Sequence, residues 1–363
     1  MKNFLLKNKL ILINWIFVIV VSYVCYKTMK LLLAIFFSVK FFIAPPDSNL
    51  ITSSTAVDIA VYKQELLKVK IPKQLDSSLF VFNEQMFLSQ CDTLGQIKFW
   101  RSVMRLNKDT AFFNLPKNRK VLCTVCVKEF EALAEDKKIR VKDSLRFTYL
   151  LNDSARILLT AGKSFFYDFD KASLNFDKGI RAFMENGVDP WYAQAILLIE
   201  SPNKLQKSNA GAYGSFQLMK DVARMYGLKV NKKIDERADF GRSAYAASSL
   251  IKKICIPYTK KILDSLGIKE YKENELWFRL LVMHSYHAGS GNVRKALFTF
   301  MPTKGDMNLI YTLWQTETKN FKSASQNYSQ LVLAAMFEVH EKFKIKPAFL
   351  PPTLLQSPYK NGR

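Results

Sequence analysis

The stretch that decides the fold is residues 189–219, which read DPWYAQAILLIESPNKLQKSNAGAYGSFQLM. Its first part predicts a buried helix, because Asp189 is a good N-cap, Pro190 suits the first helical position and mostly apolar residues follow. Pro202 disfavours helical geometry in the residue before it, so we expect the helix to end near Glu200. A carboxylate therefore stands at the end of an apolar helix.

Glu200 is the candidate catalytic residue. The C-terminal end of a helix carries partial negative charge, and apolar neighbours desolvate a carboxyl group, so both raise its pKa. A carboxylic acid that is neutral near pH 7 can protonate a glycosidic oxygen. On the helix alone, the commoner alternative is a glutamate that points to water from the last turn.

The segment after this helix is a loop of small and turn-forming residues, 208–214. Gly211 and Gly214 allow a positive φ or a close approach of the backbone. A second helix is expected from Phe216 to about Tyr226, with Gly227 as its stop. The loop is either a connector or a surface on which a chain-like ligand lies.

Three sequence blocks resemble the motifs of one enzyme family. They are ESPNKLQKSNAGAYGSFQLM (Glu200–Met219), SYHAGSGNVR (Ser285–Arg294) and NYSQLVLA (Asn327–Ala334). In this order they resemble the lytic transglycosylases with a soluble-lytic-transglycosylase (SLT) domain, over roughly residues 183–343. The resemblance implies a mainly helical, lysozyme-like catalytic domain that acts on peptidoglycan glycan strands.

The resemblance also implies residue roles. Glu200 would be the sole catalytic carboxylate, acting first as acid and then as base, while the 6-hydroxyl of the sugar attacks the anomeric carbon. The product would carry a 1,6-anhydroMurNAc end, and no cofactor or metal is implied. Tyr286 would contact Glu200 through its hydroxyl. The implied substrate-binding residues are Ser208, Gln217, Met219, Tyr286 and Tyr328.

One departure from the family motif adds an aromatic, titratable side chain. His287 stands where the family frequently has Asn. A structural histidine is the more common role for such a residue, and a contact with the glycan is the alternative.

The charge composition of the chain limits the chemical classes of its binding partners. The formal net charge is +23, which favours anionic partners such as nucleic acid, lipid headgroups or the carboxylate-bearing cell wall. The lysines are scattered, and no zinc-finger spacing or groove-reading module occurs, so we expect no nucleic-acid partner. No Gly-rich phosphate loop and no Ser/His/Asp set is apparent in the sequence.

The N-terminus predicts a membrane anchor over residues 1–45. An apolar run from Leu10 to Tyr26 follows Lys2, Lys7 and Lys9 directly. A second apolar run extends from Leu31 to Ala44. We expect one uncleaved span in a bacterial inner membrane, with these lysines cytoplasmic and the catalytic domain periplasmic. A cleaved signal peptide and a two-span hairpin are the alternatives.

The rest of the chain divides into three predicted parts: a mostly helical accessory region of unknown role (46–182), the lysozyme-like domain (183–345) and an extended tail (346–363).

Within the accessory region, apolar spacing predicts helices over Gln96–Leu106 and Asn118–Leu133. Short strands are expected at Phe80–Phe82 and Ile157–Thr160. The Cys123/Cys126 pair is expected on the second helix rather than in a metal or redox site, because no second ligand pair has suitable spacing.

Three other functions compete with the lytic transglycosylase. A muramidase of the same fold would use water in place of the internal hydroxyl. A non-catalytic wall-binding protein would keep the groove without turnover. A basic nucleic-acid binder would bind DNA in a salt-sensitive way without affinity for the wall.

Overall fold

The computed structural model describes residues 65–70, 77–200, 205 and 207–345. The predicted anchor (1–45) and the predicted tail (346–363) lie outside these residues. Among the residues described, we find no helix with both the length and the apolar character that a membrane crossing requires.

Helices make up most of the regular structure, as the sequence predicts. In chain order they are α1 (Gln85–Leu88), α2 (Gly95–Arg105), α3 (Val127–Glu131), α4 (Glu135–Thr148), α5 (Phe169–Ser173), α6 (Phe176–Glu185), α7 (Trp191–Ile199), α8 (Lys220–Met225), α9 (Phe240–Leu250), α10 (Ile256–Ser265), α11 (Leu276–Ala288), α12 (Ser290–Phe300), α13 (Met307–Leu313) and α14 (Ser323–Lys342). Short 3₁₀ turns span Cys91–Thr93 and Glu236–Ala238, and a π-helical turn, Ile251–Cys255, joins α9 to α10.

In the part of the chain that the structure describes, five short strands lie before α5: β1 (Leu66–Lys70), β2 (Ser77–Val81), β3 (Thr110–Asn114), β4 (Val121–Cys126) and β5 (Leu158–Ala161). The first two pair antiparallel. The other three form an antiparallel sheet in the order β4-β3-β5. The accessory region is therefore a mixed structure of helices and small sheets.

Of the helices and strands predicted for the accessory region, three are confirmed and one is wrong. Helix α2 and strands β2 and β5 lie where apolar spacing placed them. The helix predicted over Asn118–Leu133 is wrong in its first half, where β4 pairs with β3, and only α3 is helical. Pairing with a distant strand overrides the local pattern there. Cys123 and Cys126 lie on β4, not on a helix, and both are free thiols.

One hydrophobic core extends through the predicted lysozyme-like region (183–345) and into the accessory region. Every residue of α7 is buried. Phe80, Ile97 and Trp100 of the N-terminal part belong to the same cluster of buried side chains. A second, smaller cluster lies between the β4-β3-β5 sheet and α3 and α4, around Phe113 and Phe130. The predicted boundary between residues 182 and 183 falls inside α6.

Buried hydrogen bonds also join the two regions. Gln194 on α7 accepts from the Val81 amide (2.8 Å) and donates to the Val81 carbonyl (3.0 Å), so it extends the edge of β2. Trp100 Nε1 donates to Gln330 Oε1 of α14 at 3.0 Å. Separating the two regions would leave the Gln194 amide and the Trp100 indole N–H without these partners.

A buried arginine strengthens this junction. Arg279 on α11 has no exposed surface. Its Nε lies 2.6 Å from Asp189 Oδ2, and its Nη2 lies 2.6 Å from Glu65 Oε2. The guanidinium therefore links the N-terminal end of the Glu200 helix to the segment just before β1.

Candidate active site

Glu200 lies at the C-terminal end of α7, as predicted. Asp189 Oδ1 accepts from the Trp191 amide at 2.9 Å, which caps the start of the helix. The nine residues of α7 are buried, whereas Glu200 is only partly buried. Its carboxyl group therefore lies at the margin of the core.

The protonation of Glu200 suits acid catalysis. Desolvation by burial raises the pKa of Glu200 from 4.5 to about 7, and a hydrogen bond from Tyr328 opposes this rise. At neutral pH, the neutral and ionised forms coexist. A group with a pKa close to the working pH can both give and take a proton efficiently.

The hydroxyl that donates to Glu200 belongs to Tyr328 on α14. Tyr328 Oη lies 2.7 Å from Glu200 Oε1, and the tyrosine is buried. Here the structure corrects the sequence prediction, which gave this contact to Tyr286. Tyr286 Oη instead donates to the Phe216 carbonyl at 2.6 Å. A phenol has one proton, so the Tyr286 hydroxyl cannot donate to both acceptors at once.

Tyr286 nevertheless lies close to the carboxyl group. Burial raises its pKa well above 10, and the charge of Glu200 adds to this rise. Its bond to Phe216 ties α11 to the loop that follows the Glu200 helix.

The predicted substrate-binding residues of this loop occupy different positions. Ser208 Oγ accepts from the Ala212 amide at 2.9 Å, so the serine closes an exposed turn. Gln217 is partly buried, and its Nε2 donates to the Gly214 carbonyl at 3.0 Å. Met219 is 45% exposed, which leaves a large apolar side chain open to a ligand.

The helix predicted from Phe216 begins only at Lys220. Gln217 adopts a left-handed conformation with φ +47°. Tyr213 and Leu218 exchange two backbone hydrogen bonds of 3.1 Å across this turn. The chain therefore folds back on itself between Tyr213 and Leu218 before the helix begins.

Arg237 organises the loop, a role that the sequence did not reveal. It is fully buried and makes two bonds to Asp235, of 2.8 and 2.7 Å. Its Nη1 donates to the carbonyls of Gly211 and Leu218, each at 2.8 Å. A single guanidinium therefore binds both ends of the turn-forming segment.

Gly214 is required for this packing. Its φ is +87°, and a Cβ atom at this position would lie 1.9 Å from the Arg237 carbonyl oxygen. A side chain would therefore push the loop away from its anchor.

Two histidines of α11 lie near the site. His284 is buried, its Nε2 is 2.8 Å from Ser329 Oγ, and burial lowers its pKa to about 3. His284 is therefore neutral and structural. His287 is exposed, and its ring stacks on Tyr328 at 4.2 Å between centroids and 21° between planes.

Tyr167 lies near Glu200, and the sequence did not predict this. It precedes α5 in the accessory region and is buried. Burial raises the pKa of its phenol, and the nearby charge of Glu200 contributes to the rise. Tyr167 also lines a cavity of about 370 Å³ between Arg105 and Glu338. No motif marks Tyr167, because it comes near Glu200 only through tertiary packing.

Comparison with known proteins identifies one family. The sequence model described as "Transglycosylase SLT domain" matches residues 180–309. The match includes the Glu200 helix, the loop that follows it and the block around Tyr286. It ends before Asn327–Ala334, so Tyr328 lies outside the matched segment. No curated protein matches the chain.

Proposed function

We propose that this chain, whose residues 180–309 match the transglycosylase SLT domain, the lysozyme-like domain of lytic transglycosylases, cleaves the β-1,4 bond between MurNAc and GlcNAc in peptidoglycan. The product carries a 1,6-anhydroMurNAc end. The observation that carries this proposal is the Glu200 carboxyl, which has a pKa raised to about 7 and a hydrogen bond from Tyr328.

Glu200 supplies both proton transfers. In its neutral form it donates a proton to the glycosidic oxygen as the bond to the anomeric carbon breaks. The resulting carboxylate then accepts the proton of the MurNAc 6-hydroxyl, whose oxygen attacks the anomeric carbon. Tyr328 donates to Oε1 and so stabilises the ionised stage between the two transfers.

A single carboxylate distinguishes this reaction from most glycoside hydrolysis, which uses a pair. In the described part of the chain, the pKa of Glu200 is set by burial and by Tyr328, and no second carboxylate is among the causes. The next acidic residue along the sequence is Asp221, on the exposed side of α8. A reaction that uses an internal hydroxyl as its nucleophile needs no second carboxylate, so it is compatible with this site.

We also propose that residues 1–45 anchor the protein in the inner membrane with its catalytic domain in the periplasm. Support comes from the flanking lysines, the apolar runs and a substrate that lies outside the cytoplasm. Protease treatment of spheroplasts tests this topology: the catalytic domain should be digested without lysis, and protection until lysis would contradict it.

The activity test is digestion of purified sacculi in H₂¹⁸O, with product masses read by mass spectrometry. Anhydro ends without ¹⁸O are expected. Reducing ends that carry ¹⁸O would identify a muramidase, and sacculus binding without products would identify a non-catalytic wall protein.

Two variants complete the test. Glu200→Gln should bind sacculi without cleaving them. Asp221→Asn makes the same change from carboxylate to amide on a side chain that is 95% exposed, and it should cleave at the normal rate. Equal activity in both variants would overturn the assignment of Glu200.

A further inference from the structure

The ring of His287 covers one face of the tyrosine that bonds to Glu200. The centroids of His287 and Tyr328 are 4.2 Å apart, and the ring planes differ by 21°. The two residues come from different helices, α11 and α14, and the buried tyrosine lies beneath the exposed histidine. The histidine therefore limits a swing of the phenol toward the side that would otherwise face solvent.

This limit matters because the Tyr328 hydroxyl is the hydrogen-bond donor to Glu200. The bond is 2.7 Å long and lowers the pKa of Glu200. The phenol oxygen lies on the axis through Cβ and Cγ, so a rotation about χ2 leaves it in place, whereas a small swing of the side chain about χ1 moves the donor away from Oε1. A flat side chain stacked on the ring restrains this swing.

The histidine provides this support without adding charge near the acid. Although part of His287 is exposed, the protein packed around its ring desolvates the imidazole and lowers its pKa to about 4, so the imidazole is neutral where Glu200 titrates. A permanent cation here would favour the ionised form of Glu200 and weaken it as an acid. Among the residues that the structure describes, the other titratable groups near this pair are Tyr286, His284 and Cys255, and burial keeps all three neutral.

We propose that His287 is a positioning residue: its imidazole stacks on Tyr328 and keeps the phenol hydroxyl directed at Glu200. The catalytic consequence rests on the proposed function, whereas the effect on the Glu200 carboxyl does not. The contribution of His287 comes from its ring and not from its nitrogen atoms.

Three substitutions separate the ring from the nitrogens. His287→Phe keeps a flat ring and removes the nitrogens, whereas His287→Asn and His287→Ala remove the ring. Without the ring, the bond to Glu200 weakens, and the pKa of Glu200 should rise by about half to one unit. A weaker bond from Tyr328 also stabilises the ionised stage of Glu200 less during the reaction. The kcat should therefore fall about fivefold to tenfold with little change in KM. The Phe variant should stay close to the unmutated protein in both respects.

The primary readout is an NMR titration of full-length protein labelled with ¹³C at the glutamate side-chain carboxyls, in which Glu200→Gln assigns the Glu200 signal. Raised midpoints in the Asn and Ala variants, with an unchanged midpoint in the Phe variant, are expected. Unchanged midpoints in all three variants would overturn the proposal. Equal rises in all three would also overturn it, because the nitrogens would then be responsible.

Kinetics on sacculi distinguish the remaining outcomes. A rise in KM without a change in the Glu200 titration would make His287 a glycan-binding residue, against the proposal. If the unmutated protein cleaves nothing while the titration responds as expected, the positioning role stands and the proposed function fails. Should the Ala variant fail to fold, the Phe and Asn variants alone decide.

Discussion

Replacing Glu200 with Gln should stabilise the protein in a pH-dependent way while abolishing cleavage. Burial raises the pKa of Glu200 from 4.5 to about 7, so the folded state holds this proton more tightly than the unfolded state does. The stability from Glu200 is full below pH 4.5 and is lost as pH rises through 7. At pH 8 the ionised carboxylate should cost the fold about 3 kcal/mol, and at pH 4 less than about 0.5 kcal/mol.

Gln removes this cost because it is neutral at every pH, has a similar shape and keeps an oxygen to accept from Tyr328. The variant should therefore unfold about 5 °C higher than the unmutated protein at pH 8 and at nearly the same temperature at pH 4. Thermal unfolding followed by circular dichroism at both pH values measures the difference. Asp221→Asn, on an exposed side chain, should change stability by less than about 0.5 kcal/mol. A Gln variant that is equally stable, or less stable, at pH 8 would refute the reasoning.

Three further substitutions test the surroundings of the site. Tyr328→Phe should raise the pKa of Glu200 by about one unit and shift the basic limb of the activity profile upward, as measured by turnover from pH 5 to 9. Gly214→Ala should destabilise the protein by more than about 2 kcal/mol, because its Cβ would lie 1.9 Å from the Arg237 carbonyl; denaturant unfolding measures it. Arg279→Met should cost about 3–5 kcal/mol, because it leaves two partly or fully buried carboxylates without a cation. Burial raises the pKa of the Glu65 carboxyl, so this group takes up a proton more readily in acid, and unfolding should show a smaller loss at pH 4 than at pH 7.

Matched controls accompany these variants. Tyr286→Phe loses a bond to a backbone carbonyl and not to the acid, so the basic limb should move less than in Tyr328→Phe; an equal shift would mean that both phenols act on Glu200. Gly211 also has a positive φ, but nothing lies within 4 Å of its Cβ position. Gly211→Ala should therefore cost less than Gly214→Ala, and equal costs would contradict the steric explanation. An Arg279→Met variant with unchanged stability would show that the buried ion pairs contribute nothing.

The position of Glu200 could be predicted from the sequence because its causes are local. Asp189 and Pro190 start the helix, the apolar residues bury it, and the helix ends at Ile199, directly before Glu200. The identity of the hydrogen-bond donor could not be predicted in this way. Tyr286 and Tyr328 both lie close to Glu200, and the relative placement of α11 and α14 decides which hydroxyl reaches Oε1.

Other features depend on contacts between distant parts of the chain. The spacing of apolar residues in Asn118–Leu133 is compatible with a helix. The first half of this segment instead forms strand β4, because it pairs with the edge of β3. Arg237 is one charged residue among many in the sequence, and its role follows from the carbonyls that surround it. Tyr167 comes near Glu200 only because the accessory region packs on the catalytic core.

The protonation of Glu200 is the claim on which the account rests, and the carboxyl carbon of this residue reports it directly. In the unmutated, folded protein, the ¹³C chemical shift of that carbon should titrate with a midpoint near pH 7. A midpoint near 4.5 would show a carboxylate that is ionised at neutral pH and has no proton to give to a glycosidic oxygen, which contradicts the account.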